Sequence, residues 1–178
     1  MAQLIMNWKN DGIQAKEVSF PEGVSLIRYT EIADATDVWL DIIKYLSPEP
    51  MENLTSEFFH RHMLSLENFK EHNCCFLTVD GSPAATITVV CDYSDKHGYI
   101  HMVVCKPEFR GRGLGRLLND IALYILKKEG METAHLTTDD WRIPAIKSYI
   151  KAGFFPDLET EPDFKERWEK IYSEINQK

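Results

Sequence analysis

Three arginines and three glycines alternate over residues 110–116, which read Arg-Gly-Arg-Gly-Leu-Gly-Arg. The segment lies between an apolar stretch that ends before Pro107 and a long run with helical periodicity. The first N–H groups of a helix have no partner within it, and the helix dipole places positive charge there. Glycines let an anion approach this backbone closely because no Cβ intervenes. The pattern therefore predicts a site for a phosphate or a pyrophosphate.

Two common phosphate-binding patterns do not fit this segment. A P-loop requires GxxxxGK[ST], and no Lys-Ser or Lys-Thr follows these glycines. A Rossmann fingerprint requires GxGxxG near the first strand of a parallel array. Here Gly111 to Gly115 read GxGxG, late in the chain and after an apparent hairpin. A nucleotide-phosphate enzyme that uses the same glycines stays open as a remote alternative.

A glycine-rich phosphate site needs a strand before it and a helix after it, and the flanking sequence predicts both. From Gly113 to Glu129 apolar residues recur at alternating spacings of three and one, as in an amphipathic helix, and Gly130 then ends it. Period-two patterns and turn signals predict strands at 24–30, 74–79, 84–91, 99–105 and 134–138, and another that starts at 154–155. Other helices are predicted at 34–46, 55–70, 143–152 and 163–176.

Composition and charge exclude several classes of protein. The chain has 178 residues, 44% hydrophobic and 27% charged, which suits one globular domain. Its formal net charge of −8 argues against nucleic acid as a partner, because a phosphate backbone selects a basic surface. No apolar run approaches the ~18 residues of a membrane span, and no signal-peptide pattern opens the chain. We expect a cytoplasmic protein that binds neither nucleic acid nor a membrane.

The cysteines do not form a recognisable metal or redox motif. They lie in apolar, strand-like contexts, without CxxC spacing or a zinc-type histidine pair, at Cys74, Cys75, Cys91 and Cys105. We interpret them as reduced core residues and expect no metal site.

The glycine-rich segment and its surroundings resemble the GNAT superfamily of N-acetyltransferases. Arg110-x-x-Gly113-x-Gly115 is similar to the family signature R/Q-x-x-G-x-G/A, and residues 103–109 resemble the hydrophobic strand, Pro turn and aromatic residue that precede it. Residues 145–154, with Tyr149 and the pair Gly153-Phe154, look like the second family element, A-x-x-x-Y-x-x-x-G-F. The resemblance covers residues 98–156.

The resemblance implies an α/β fold: a single three-layer GNAT-like domain, with a mixed, mostly antiparallel central sheet flanked by helices. We expect an N-terminal extension over 1–22, the acetyltransferase domain over 23–158, and a C-terminal surface helix over 159–178 that packs on the domain. The implied co-substrate is acetyl-CoA, bound by a strand edge, by the loop amides and by two further arginines. These cofactor-binding residues are Val103, Val104, Cys105, Arg110, Gly111, Arg112, Gly113, Leu114, Gly115, Arg116 and Arg142, the last at a position where many relatives have Asn.

The resemblance also implies the catalytic groups. Tyr149 matches the family tyrosine that protonates the departing thiolate, and a packed helix residue is its alternative interpretation. Many relatives carry a Glu base at the position of Tyr99, where this chain has no carboxylate. His101 lies on the same strand face, and a reference pKa near 6.5 suits a base or proton relay; a pocket-lining or core histidine is the other interpretation. Candidate residues for binding the acceptor are Tyr99, Asp139, Asp140 and Trp141, and helix capping is the alternative role of the two aspartates.

Together these features predict an acetyl-CoA-dependent N-acetyltransferase in which a primary amine attacks the thioester directly within a ternary complex. The acceptor is a small-molecule or peptide amine that the sequence does not identify, and the protein is a monomer or a homodimer. A non-catalytic acyl-CoA-binding or sensing module on the same fold is the alternative, because position 99 lacks the Glu of many relatives.

Overall fold

The computed structural model describes residues 2–176. Seven strands in this range form one mixed sheet. The strands are β1 Leu4–Lys9, β2 Val24–Arg28, β3 Cys74–Val79, β4 Ser82–Asp92, β5 His97–Cys105, β6 Thr133–Thr138 and β7 Phe155–Pro156. The helices are α1 Ala35–Ile43, α2 Ser56–Phe59, α3 Leu114–Lys128, α4 Ile143–Lys151 and α5 Phe164–Asn176. None of these helices combines the length and the apolarity needed to cross a membrane.

The strand order is β2-β3-β4-β5-β6-β1-β7. Neighbours pair antiparallel except β5 and β6, which run parallel because α3 carries the chain back between them. The hairpin between β3 and β4 turns at Asp80 and Gly81, both at positive φ as a two-residue turn requires. The prediction of a mixed, mostly antiparallel sheet flanked by helices is confirmed.

Alternation along the strands separates two apolar cores, one on each face of the sheet. Cys75, Leu77 and Val79 of β3 pack with the buried stripe of α3 and with residues of α4 and α5. Cys74 and Phe76 face the other way and pack with α1 and with the segment around α2. The sheet is therefore the middle of three layers, and α3 is fixed by the apolar stripe that the sequence predicts.

The N-terminal segment differs from the sequence-based expectation. Residues 4–9 form β1, which pairs with β6 on one side and β7 on the other and so lies inside the sheet. Leu4, Met6 and Trp8 are buried against the α3 face. The prediction that residues 1–22 form an extension is wrong for this strand. The alternating apolar pattern of residues 4–9 is too short to predict a strand by itself. The strand is stabilised by pairing with β6, which lies far along the chain.

The second predicted helix is also shorter than expected. The sequence indicates helix over 55–70, but regular helix covers only Ser56–Phe59 and continues as a wider turn over His60–Leu64. Asn68 then takes a left-handed backbone conformation, with φ of +63°. Because Leu66 N–H bonds to the Met63 carbonyl, the carbonyl of His62 is left to accept a side-chain donor from β5.

Candidate active site

The glycine-rich segment opens α3 as an unobstructed backbone surface. Gly111 and Gly113 have φ of +76° and +79°, a conformation that favours glycine, and Gly113 is the N-cap. A Cβ added to Gly111, Gly113 or Gly115 would meet no atom within 4 Å. The first N–H groups of α3 have no partner inside the helix, and no side chain caps them. This arrangement suits an anion of the size of a pyrophosphate.

A bulge in β5 separates this strand from its parallel neighbour. Thr86 pairs with Val104 and Thr88 with His101, so Met102 and Val103 together oppose Ile87, and Met102 has φ of +54°. The ladder with β6 covers His97 to Ile100 only. Beyond that point residues 101–105 leave an open edge towards β6, where an extended ligand can add backbone hydrogen bonds.

One cavity of about 1050 Å³ joins the open edge of β5, the glycine loop and the inner surface of α4. Most of the predicted cofactor-binding residues line it: Val103, Val104, Cys105, Arg110, Gly111, Gly113, Leu114, Gly115, Arg116 and Arg142. Arg112 lies instead over the ring of Phe109 and borders a second cavity on the other side of α3. Arg110 also donates from Nε to the carbonyl of Cys105 at 3.2 Å, which holds the loop against the end of β5.

Tyr149 lies in this cavity on α4. Its side chain is buried, with an exposed fraction of 7%, and its ring meets the edge of Phe154. Burial raises the pKa of the phenol to about 12, although the nearby Arg142 lowers it. Tyr149 therefore keeps its proton at neutral pH and can give it to a group that becomes strongly basic during a reaction.

The charged side chains of the loop between β6 and α4 bind to other parts of the protein. Arg142 donates from Nη2 to the carbonyl of Leu46 at 2.7 Å, and its Nε lies 3.1 Å from Asp139 Oδ2 as an ion pair without hydrogen-bond geometry. Asp139 also accepts from Gln3 at 3.2 Å. Trp141 is half-exposed, lines the cavity and lies against the guanidinium of Arg142.

The predicted role of Asp140 in binding the acceptor is not supported. Arg167 of α5 holds both of its carboxylate oxygens, with Nε–Oδ2 at 3.0 Å and Nη2–Oδ1 at 2.5 Å. This contact lowers the pKa of Asp140. The side chain ties the β6–α4 loop to the C-terminal helix, and it is outside the residues that line the cavity.

The side chains of Tyr99 and His101 form a hydrogen-bonded pair on the face of β5 that is directed towards α2. Nδ1 of His101 lies 2.9 Å from the Tyr99 hydroxyl, and its Nε2 lies 3.0 Å from the carbonyl of His62. Because a carbonyl only accepts, Nε2 carries the proton, and Nδ1 accepts from Tyr99. Burial lowers the pKa of His101, while the His62 carbonyl opposes that shift. Neither residue lines the cavity.

Two more histidines continue this row at the start of the strands. His97 shares a 2.7 Å hydrogen bond with His135 and a 2.8 Å bond with Thr133. The ring of His135 stacks on Tyr99, with centroids 4.6 Å apart. Burial lowers the pKa of His135 to about 4, and His97 adds to that shift. Across residues 2–176, no three His, Cys, Asp or Glu side chains are grouped as metal ligands.

The cavity includes residues that the sequence did not single out. Tyr45 and Leu46, after α1, line the wall near Trp141. Asn119 of α3 and Ser148 of α4 line it where the two helices meet, and Asn119 Nδ2 donates to Ser148 Oγ at 2.9 Å. Asn119 follows Gly115 by about one helical turn and Ser148 directly precedes Tyr149, but their meeting depends on how α3 packs against α4.

The comparisons with known proteins agree with this geometry. The model of the "Acetyltransferase (GNAT) family" matches residues 39–154. A mycothiol acetyltransferase of Tsukamurella paurometabola is 36% identical over 67 residues, which are 38% of this chain and 23% of that protein. One of Nocardia farcinica is 37% identical over 59 residues, 33% of this chain and 20% of that protein. The matched region is thus about a quarter or less of the length of these relatives.

Solved structures share the fold at low identity. A GCN5-related N-acetyltransferase of Sphaerobacter thermophilus superimposes with a TM-score of 0.67 at 17% identity, over 88% of this chain and 50% of that chain. An N-acetylglutamate synthase of Neisseria gonorrhoeae, complexed with coenzyme A and N-acetyl-glutamate, gives a TM-score of 0.58 at 14% identity, over 87% of this chain and 34% of that chain. At these identities the similarity concerns the fold alone.

Proposed function

Since the chain belongs to the acetyltransferase (GNAT) family, we propose that it transfers an acetyl group from acetyl-CoA to a primary amine by direct attack in a ternary complex. One observation carries the proposal. The open edge of β5, the unobstructed glycine loop and the buried phenol of Tyr149 border a single cavity of about 1050 Å³.

The residues of the cavity suit coenzyme A in two places. The N–H groups of residues 111–116 would hold the pyrophosphate, in a cradle that any Cβ at the glycines would narrow. The backbone of residues 103–105, on the strand edge that β6 leaves open, would pair with the pantetheine arm. When bound, the co-substrate supplies an activated acetyl group as a thioester.

Tyr149 has the properties of the proton donor. As the amine nitrogen bonds to the acetyl carbon and the carbon–sulfur bond breaks, the sulfur leaves with the bonding electrons and needs a proton. Tyr149 would supply the proton from its hydroxyl, since burial raises the pKa of the phenol and keeps that proton in place until the thiolate forms.

The Tyr99–His101 pair would accept the proton that the amine loses. An acceptor bound on the α2 side would meet the thioester where the pairing of β5 and β6 ends, because the cavity there is lined by Tyr45 and Leu46 as well as by residues of α3 and α4. The amine proton passes to the Tyr99 oxygen while the Tyr99 proton passes to His101 Nδ1. The carbonyl of His62 keeps Nε2 as the donor and stabilises the imidazolium.

Cys105 supports direct attack rather than an acyl-enzyme. It is the half-buried thiol in the cavity wall, and burial raises its pKa, so that it remains a weak nucleophile at neutral pH. Initial rates measured with both substrates varied should give intersecting reciprocal plots, and Cys105→Ala should retain turnover. Parallel plots, with loss of turnover in Cys105→Ala, would instead establish a covalent route.

The test of the function is a screen of amine acceptors. Free thiol released from acetyl-CoA is measured with small-molecule and peptide amines, and the affinity for CoA is measured by calorimetry. We expect micromolar-range CoA binding and turnover on at least one class of amine. Binding without turnover on any amine would identify an acyl-CoA-binding module instead, and absence of CoA binding would refute the proposal.

A further inference from the structure

A buried polar pair lies between α3 and α4. Asn119 has an exposed fraction of 1%, and its Nδ2 donates to Ser148 Oγ at 2.9 Å. Its Oδ1 is buried, and among residues 2–176 it has no hydrogen-bond partner. A buried polar atom without a partner destabilises a fold, so a pair that only joined the two helices would be replaced at lower cost by two apolar side chains.

The pair lies along the route that the arm of coenzyme A must take. Asn119 is about one helical turn beyond Gly115, and Ser148 directly precedes Tyr149. All four residues line the same cavity. The pair is therefore placed between the loop proposed for the pyrophosphate and the phenol proposed for the sulfur.

We propose that Asn119 and Ser148 form a subsite for a secondary amide of the pantetheine arm, an inference that rests on the proposed function. The amide N–H would donate to Asn119 Oδ1. The amide carbonyl would accept from the Ser148 hydroxyl, whose oxygen already accepts from Asn119 Nδ2. An amide carries one donor and one acceptor, so it complements the pair in either orientation of the Asn119 side chain.

The subsite adds side-chain recognition to the pantetheine arm, which the β5 edge would bind through backbone alone. The β5 edge presents N–H and C=O groups that almost any sequence supplies. The Asn119–Ser148 pair depends on two particular side chains, and it would fix how far the arm lies along the cavity. That position determines the distance between the thioester and Tyr149.

The experiment compares two ligands by calorimetry on the full chain. Coenzyme A carries the amide arm, whereas adenosine 3′-phosphate 5′-diphosphate carries the same phosphates without it. In Ser148→Ala and in Asn119→Leu we expect the affinity for CoA to fall about tenfold, equivalent to about 1.4 kcal/mol. The affinity for the armless ligand should stay within a factor of two. Gly115→Val is the contrast variant, because it should weaken both ligands.

Three outcomes would overturn the inference. Unchanged CoA affinity in Ser148→Ala, the milder variant, would show that the arm does not use the pair, whether or not Asn119→Leu folds. An equal loss for both ligands would show that the pair only positions the helices. Failure of the wild type to bind CoA would refute the proposed function itself, which separates that result from the other two.

Discussion

Tyr149 combines burial in the cavity wall with a pKa raised by that burial, and these two properties predict its contribution to the rate. Tyr149→Phe keeps the ring and its contact with Phe154 and removes only the donor. We expect kcat for thiol release to fall about 10² -fold, within the range for general acid catalysis. CoA affinity should not change. A kcat within a factor of three of the wild type, in a variant of equal melting temperature, would rule out Tyr149 as the acid.

Gly115 offers a test of the proposed phosphate site that does not strain the backbone. Unlike Gly111 and Gly113, it has no positive φ, and a side chain there meets no protein atom within 4 Å. Gly115→Val should therefore fold normally but obstruct the approach of an anion to the helix amides. We expect CoA affinity to fall at least tenfold, measured by calorimetry.

Lys128→Val is the matched control for Gly115→Val, since it places the same residue on the exposed last turn of α3. It should leave CoA affinity unchanged. If both variants bind CoA as tightly as the wild type does, the amides of the loop are not the phosphate site.

At the scale of elements, α5 is attached to the domain by one buried guanidinium and two buried aromatic rings. Arg167 is 8% exposed and bonds to Asp140 and to the carbonyl of Ala2, while Phe164 and Trp168 are fully buried. Asp140→Ala leaves this cation without its main partner. We expect the free energy of unfolding to fall by about 2 kcal/mol in denaturant titrations, while KM for the acceptor stays unchanged.

The opposite result for Asp140→Ala would be an effect on acceptor binding rather than on stability. A large rise in KM with unchanged stability would restore the predicted role of this carboxylate in binding the amine. Asp163→Ala is the control, because Asp163 is a weaker partner that lies 3.5 Å from the same guanidinium. This substitution should lower the free energy of unfolding less than Asp140→Ala does.

The row of histidines on β5 and β6 predicts a pH dependence of stability. In the folded protein the pKa of His135 is about 4, against an ordinary value of 6.5, so between these pH values the unfolded chain binds more protons. The contribution of His135 to the free energy of unfolding is therefore fully present above pH 6.5 and decreases as the pH is lowered towards 4. His135→Phe keeps an aromatic ring stacked on Tyr99. We expect the loss of unfolding free energy between pH 7 and pH 5 to be about 2 kcal/mol smaller in this variant than in the wild type.

The measurement for His135 is the free energy of unfolding at pH 7 and at pH 5 in both proteins. Carboxylates with lowered pKa, such as Asp140, lose stability mainly at lower pH and contribute equally to the two proteins. Equal slopes in wild type and variant would show that His135 titrates normally in the fold.

At the scale of the whole molecule, the sheet depends on its first strand. β1 bridges β6 and β7 and buries Leu4, Met6 and Trp8 in the core shared with α3 and α5. Deletion of residues 2–9 should abolish cooperative unfolding, because it exposes β6 and leaves β7 without a partner. Trp8→Ala should lower the free energy of unfolding by about 3–5 kcal/mol.

Ile13→Ser is the control for the N-terminal segment, since Ile13 is 60% exposed and should tolerate the change within about 0.5 kcal/mol. A truncated chain that unfolds cooperatively with the stability of the full chain would show that the sheet does not depend on β1.

Features that follow from local signals could be predicted from the amino-acid sequence alone. The stripe of α3, the hairpin of β3 and β4, and the glycine loop between β5 and α3 follow from periodicity and turn chemistry within about fifteen residues. Those elements, together with the family resemblance over residues 98–156, were sufficient to predict the fold and half of the residues that line the cavity.

Features that join distant segments depend on the three-dimensional packing and could not be predicted from the sequence. β1 is a strand because β6, more than a hundred residues away, pairs with it, and no local pattern carries that information. The bonds of Asp140 to Arg167, of His101 to the His62 carbonyl, and of Asn119 to Ser148 likewise depend on packing between elements. A side chain's type limits the bonds it can make, and the fold selects which partner comes within reach.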